Sequence, residues 1–169
     1  MLTRMLALCL LAPLTLAPAA HAESRAAVLG VTLVDTSTEG DYSGERPDQT
    51  ARVEMLAGRL AAAFEAAGWE LVDISPVAER LARVANPAHC NGCDTTLAGQ
   101  LGADVAVTAE VQKVSNLILT INVFVRTASG ELIAVGNADI RSNTDRSWRR
   151  GLDWVLENRI FPQLSARAG

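Results

Sequence analysis

The sequence predicts a mixed α/β domain built on a mixed β-sheet of about five strands, with an antiparallel C-terminal meander, in the order β-α-β-α-α-β-β-β-α. Three observations carry this. Residues 26–35 (AAVLGVTLVD) form a nearly unbroken apolar run, the pattern of a strand covered on both faces. Helix-period segments separate that run from the next ones, so the early strands are expected to be parallel. From Asp104 to Arg141 apolar and polar residues alternate across short turns, which reads as antiparallel hairpins.

Each element has its own signal. After the first strand, Thr36 to Pro47 reads as a loop with Gly40 and Gly44 among polar residues, and Asp48 is a candidate helix cap. Val53, Leu56, Leu60 and Phe64 then recur at helical spacing until Gly68. Trp69 to Ile74 is a second strand. Ser75-Pro76 opens a short helix with Val77, Leu81 and Val84 on one face, and Asn86-Pro87 ends it. Asp94 is placed to cap a helix to Leu101. Asp104–Val114 points Val105, Val107, Ala109 and Val111 to one face. Leu117–Arg126 does the same with Leu117, Leu119, Ile121, Val123 and Val125, and Glu131–Arg141 returns after Ala128-Ser129-Gly130. Asn143, Thr144 or Asp145 caps a final helix whose Trp148, Leu152, Val155 and Leu156 share a face, and Pro162 is expected to end it.

The chain has 169 residues, is 49% hydrophobic and 20% charged, and carries a net charge of -4. This length fits one domain, and the acidic balance argues against a protein held to nucleic acid by phosphate contacts. Residues 1–22 read as a cleavable export signal: Arg4, the apolar run Met5–Leu16, then the small-x-small pattern of Ala20 and Ala22. Cys9 follows Leu8 rather than a small residue, so no lipid attachment is expected. Residues 23–169 form the single domain, exported to the periplasm, with His89 as its sole histidine and Cys90 and Cys93 as its cysteines.

That inventory limits the chemistry. A nucleophilic triad would have to use His89, and one chain holds no multi-histidine metal site. Neither GxGxxG nor GxxxxGK[ST] occurs, and no cofactor is expected. In an oxidising compartment Cys90 and Cys93 should pair across the tight turn Cys90-Asn91-Gly92-Cys93. Two alternatives remain open: a redox-active dithiol, or a metal held by His89, Cys90 and Cys93. The five acids between Asp35 and Asp48 lack calcium-loop spacing and read as a solvated loop. Thr108, Glu110, Gln112, Thr120, Asn122 and Arg126, extended by Asn137, Asp139 and Arg141 of the return strand, line the second face of the late strands, either as a wet surface or as a platform for a partner.

The segment Arg141 to Gly151 (RSNTDRSWRRG) packs arginines around a tryptophan. Arg and Trp dominate protein interfaces, so Arg146, Trp148, Arg149 and Arg150 are candidate contacts for an acidic partner. Gln112 and Lys113, the chain's only lysine, are added from the earlier stretch Val111–Leu119, just before its Ser115-Asn116 turn.

The run GCDTTLAGQLGADVAVTAEVQKVSNLIL, with ADIRSNTDRSWRRGLDWVL and the strand end Leu33 to Ser37, resembles an exported bacterial family of unknown function. Its members are often encoded beside pyrroloquinoline-quinone-dependent alcohol dehydrogenases and their cytochromes. The element order is similar to the N-terminal domain of TolB and to the curli-secretion lipoproteins. The resemblance implies a non-catalytic periplasmic accessory protein that binds a protein partner, a quinoprotein dehydrogenase or its cytochrome. It brings no catalytic residue with it.

Overall fold

The computed structural model describes residues 24–168. The export signal expected over residues 1–22 lies outside them. One five-stranded sheet has the spatial order β2-β1-β3-β4-β5. The strands are β1 (Arg25–Asp35), β2 (Glu70–Leu71), β3 (Val105–Ser115), β4 (Ile118–Thr127) and β5 (Leu132–Ile140). β1 runs parallel to β2 and β3, whereas β3, β4 and β5 form an antiparallel meander. The mixed architecture expected from the sequence is therefore the one observed.

Two helical layers sandwich the parallel half. On one face lie α2 (Pro47–Ala66), α5 (Asp145–Val155), a π-turn (Leu156–Ile160) and α6 (Phe161–Ala168). They bury Leu56, Leu60, Phe64, Trp148, Leu152 and Ile160 against Val107, Val111, Ile121 and Val123. On the other face α3 (Ala78–Leu81) and α4 (Cys93–Gln100) cover only Ala27, Leu29 and Ala106. The back of β4 and β5 stays open, as the antiparallel part of a sheet allows. Thr108 and Glu110 are buried all the same, because the turn before α4 closes over this end of β3.

Several boundaries differ from the sequence expectation. The acidic loop contains a short helix, α1 (Thr38–Ser43), capped by Ser37, whose hydroxyl accepts from Gly40 N–H. Asp48 does not cap α2. Pro47 supplies the first turn with a preset φ, and Asp48 lies inside that turn, bonded to Arg46 and Arg52. β2 is only two residues long, and α3 follows a 3₁₀ turn at Ser75–Val77. Asp94 sits within α4, after Gly92 in the left-handed conformation. Thr144 caps α5 by accepting from Ser147 N–H.

Pro162 does not end the last helix. Proline crowds the carbonyl one turn back, and the π-turn immediately before it changes the spacing of those carbonyls. Gly136 lets this π-turn lie directly on β5. A Cβ there would overlap Arg159 Cβ and reach 3.3 Å from Val155 Cγ1. From α6, Gln163 bonds the outward backbone of β5: its Nε2 donates to Val135 O at 2.8 Å and its Oε1 accepts from Val135 N–H at 3.4 Å. This side chain blunts part of an otherwise open sheet edge.

Candidate functional site: an arginine-lined groove

Trp148, Leu152 and Val155 anchor α5 in the core, and that fixes which residues reach its flank. Arg146, Arg150 and Trp154 follow at successive steps of four and form one stripe beside β5. Between this stripe and the strand runs a groove of about 590 Å³, floored by Asn137 to Arg141 and closed by Arg159. Arg141, Arg146 and Arg150 are exposed and pair with no carboxylate among the described residues. Arg159 places its guanidinium 5.2 Å from the Trp154 ring centroid. Asp139 is the one acid on the lining, and its Oδ1 is occupied by the Thr120 hydroxyl at 2.8 Å.

The contrast with the rest of the surface is chemical. Arg46, Arg52, Arg59, Arg126 and Arg167 each hold a carboxylate. On a chain of net charge -4, Arg141, Arg146, Arg150 and Arg159, none paired with a carboxylate among the described residues, surround one groove with a half-exposed tryptophan, while Arg149 lies beside it and Arg80 bonds Gln100 elsewhere. Such a site attracts anions and offers an aromatic surface to what they belong to.

The predicted contact residues divide. Arg146 and Arg150 line the groove, while Arg149 is exposed on the same helix but outside the lining. Trp148 is 0% exposed and donates its indole N–H to Asn143 Oδ1 at 3.0 Å, so it is a core residue and not an anchor for a partner. Trp154 is the exposed one, and the heptad-like spacing that put Trp148 inside also put Trp154 outside. Gln112 is exposed on the open sheet face, in the cross-strand row Gln112–Thr120–Asp139 that ends at the rim of the groove.

Lys113 is also corrected: it is 0% exposed and cannot meet a partner. Its Nζ donates to Asp35 Oδ2 at 2.8 Å and to Glu39 Oε2 at 3.2 Å, at the C-terminal ends of two parallel strands. Burial raises the Asp35 pKa, but hydrogen bonds from Lys113 and from the Ser37 hydroxyl and backbone N–H outweigh it and leave the carboxyl below its ordinary value. Glu39 is held low by Asn116 and Lys113. The acids expected to form a solvated loop thus include the two that hold the buried amine.

At the far end of the sheet Cys90 and Cys93 are joined in a disulfide. Asp94 N–H points at Cys90 Sγ, and the Asp94 carboxylate, almost fully buried, accepts from Arg126 at 3.1 Å. His89 sets its Nε2 3.1 Å from Glu110 Oε2 and its ring edge-on to Phe124. Glu110 also accepts from Asn86 and Asn122. With both sulfurs bonded to each other and His89 on Glu110, the alternative metal set is not assembled, and no other group of three such ligands occurs among the described residues. The disulfide lines a cavity with Arg80 and Leu97 that shares no residue with the arginine groove.

These features define a mixed α/β domain with a basic groove beside a half-open sheet. The chain belongs to the family described as "Protein of unknown function (DUF2380)", which matches residues 24–160. No curated protein matches it. Among solved structures it is similar to the LpoB C-terminal domain from Salmonella enterica, at a TM-score of 0.52 and 16% identity over 75% of this chain and 88% of that one. The LpoB C-terminal domain from Escherichia coli gives 0.48 and 17% over 75% and 88%. A PelC dodecamer from Paraburkholderia phytofirmans gives 0.40 and 17% over 89% and 92%. At 16% identity the likeness to the Salmonella enterica domain is one of fold. No helix among the described residues is long and apolar enough to cross a membrane.

Proposed function

We propose that this chain is a non-catalytic periplasmic accessory protein that holds a protein partner in the arginine groove. The observation that carries the reading is that Arg141, Arg146 and Arg150, none paired with a carboxylate among the described residues, line one concave surface with Trp154 on an acidic molecule. Arg and Trp are the residues most often responsible for binding energy at protein interfaces, and an unpaired guanidinium is available for a partner carboxylate. The periplasmic location rests on the export signal in residues 1–22. The identity of the partner, a quinoprotein alcohol dehydrogenase or its cytochrome, rests on the resemblance of the Cys90–Cys93, Gln112–Leu119 and Asn143–Gly151 segments to the exported family.

Calorimetric titration of the exported protein with the purified dehydrogenase and with its cytochrome tests this. One of them should bind, and Arg146→Glu with Arg150→Glu should weaken that binding at least tenfold, as should raised salt. If neither protein binds, and deletion leaves growth on alcohol unchanged, the quinoprotein assignment falls.

A further inference from the structure

The groove has a floor as well as charged walls, and the floor is a sheet edge. Val135 turns both its N–H and its C=O outward, where Gln163 takes them. In an antiparallel pair, residues two apart present their backbone groups to the same side, and the β4–β5 register runs without a shift from Val135↔Phe124 to Ile140↔Leu119. Asn137 and Asp139 therefore turn their N–H and C=O outward as well. Nothing among the described residues bonds them there. The Gln163 contact stops at Val135, so the edge is blocked on one side of the groove and open along the groove itself.

We infer that the partner docks as an extended acidic strand that pairs with the open β5 edge at Asn137 and Asp139, an inference that rests on the groove being the partner site. A strand added there lies about 4.8 Å from β5 and sends alternate side chains to opposite faces. Those on the α5 side meet Arg146, Arg150 and Trp154. Those on the other side meet the open face, where Asp139 repels a further acid. The recognised pattern is thus acidic residues at every second position with neutral residues between. Arginines alone would accept any anion; the unpaired backbone donors and acceptors select a peptide in extended form.

The probe is an eight-residue peptide alternating Glu and Val, titrated into the exported protein by fluorescence anisotropy and by amide hydrogen exchange. Its comparisons are the same peptide N-methylated on the residues facing β5, and a Lys/Val peptide. The Glu/Val peptide should bind, slow exchange at Asn137 and Asp139 at least tenfold, and lose at least tenfold in affinity on N-methylation or on Arg150→Glu; the Lys/Val peptide should not bind. Failure of the Glu/Val peptide to bind, equal binding after N-methylation, or unchanged exchange at Asn137 and Asp139 overturns strand addition. The reading of the groove as the partner site is judged separately: it falls only if Arg146→Glu with Arg150→Glu leaves binding of the whole dehydrogenase or cytochrome unaltered.

Discussion

Lys113 Nζ lies 2.8 Å from Asp35 Oδ2, and the two residues are register partners at the ends of neighbouring parallel strands. The amine is sealed from solvent, while Glu39 reaches it from α1 and Asn116 steadies Glu39 from the β3–β4 turn. The pair fixes where the first crossover leaves the sheet. Replacing Lys113 with Met keeps the volume and takes the amine from both carboxylates, leaving Asp35 with Ser37 alone and Glu39 with Arg46 and Asn116. The expected loss is about 2–4 kcal/mol, below the full value for a buried pair because Glu39 keeps contact with water. Urea unfolding should show a lower midpoint with an unchanged slope.

The same corner sets an acid limit. The Asp35 and Glu39 pKa values are lower in the folded chain than their ordinary values, so the unfolded chain takes up these protons first. Their contribution is complete above about pH 5 and is lost as pH falls through about 4 and below. Thermal unfolding followed from pH 7 to pH 3 should show a flat region and then a fall. Lys113→Met should flatten that fall.

The two tryptophans of the last long helix should separate cleanly. Trp148→Ala removes a fully buried ring and its bond to Asn143, at a cost of about 3–5 kcal/mol. Trp154→Ala removes a half-exposed ring and one cation–π contact, at about 0.5–1 kcal/mol. Denaturant midpoints give the first comparison. Partner affinity, reduced by Trp154→Ala, gives the second.

Gly136 is a packing requirement. An alanine there collides with Arg159 Cβ, which belongs to the π-turn's own stem and cannot swing clear as a side-chain tip would. Gly136→Ala should cost about 1–3 kcal/mol and loosen α6 from the β5 edge. Faster amide exchange at Val135, whose N–H Gln163 accepts, reports that loosening.

Reduction of Cys90–Cys93 opens a very short loop, so it should lower stability by only about 2 kcal/mol and leave the fold intact. Equilibration against glutathione separates the two roles: a potential below about -300 mV marks a structural bridge, and a much higher one a redox site.

The strands and the meander were legible because period-two alternation survives in β3 and β4, and the crossovers because Leu56, Leu60 and Phe64 keep helical spacing. Lys113 shows how composition can mislead. Alternation puts it on the Val107–Val111 face, inward, yet a lysine reads as a surface residue until Asp35 and Glu39 arrive beside it from far along the chain. The groove was half legible. Arg146 and Arg150 drew notice as neighbours of a tryptophan, but the stripe they form with Trp154 needs the helix phase set by Trp148. The open edge at Asn137 and Asp139 left no mark in the sequence, since it depends on where Gln163 stops covering β5. Pro162 misled because the compensating π-turn has no local signature.

The burial of Lys113 has a practical consequence. It is the chain's one side-chain amine, so acylating reagents find no lysine to modify while the native fold holds. Every adduct at this position then records a moment when the corner between β1, α1 and β3 has come apart. Slow acetylation followed by mass spectrometry would time those openings without any introduced label.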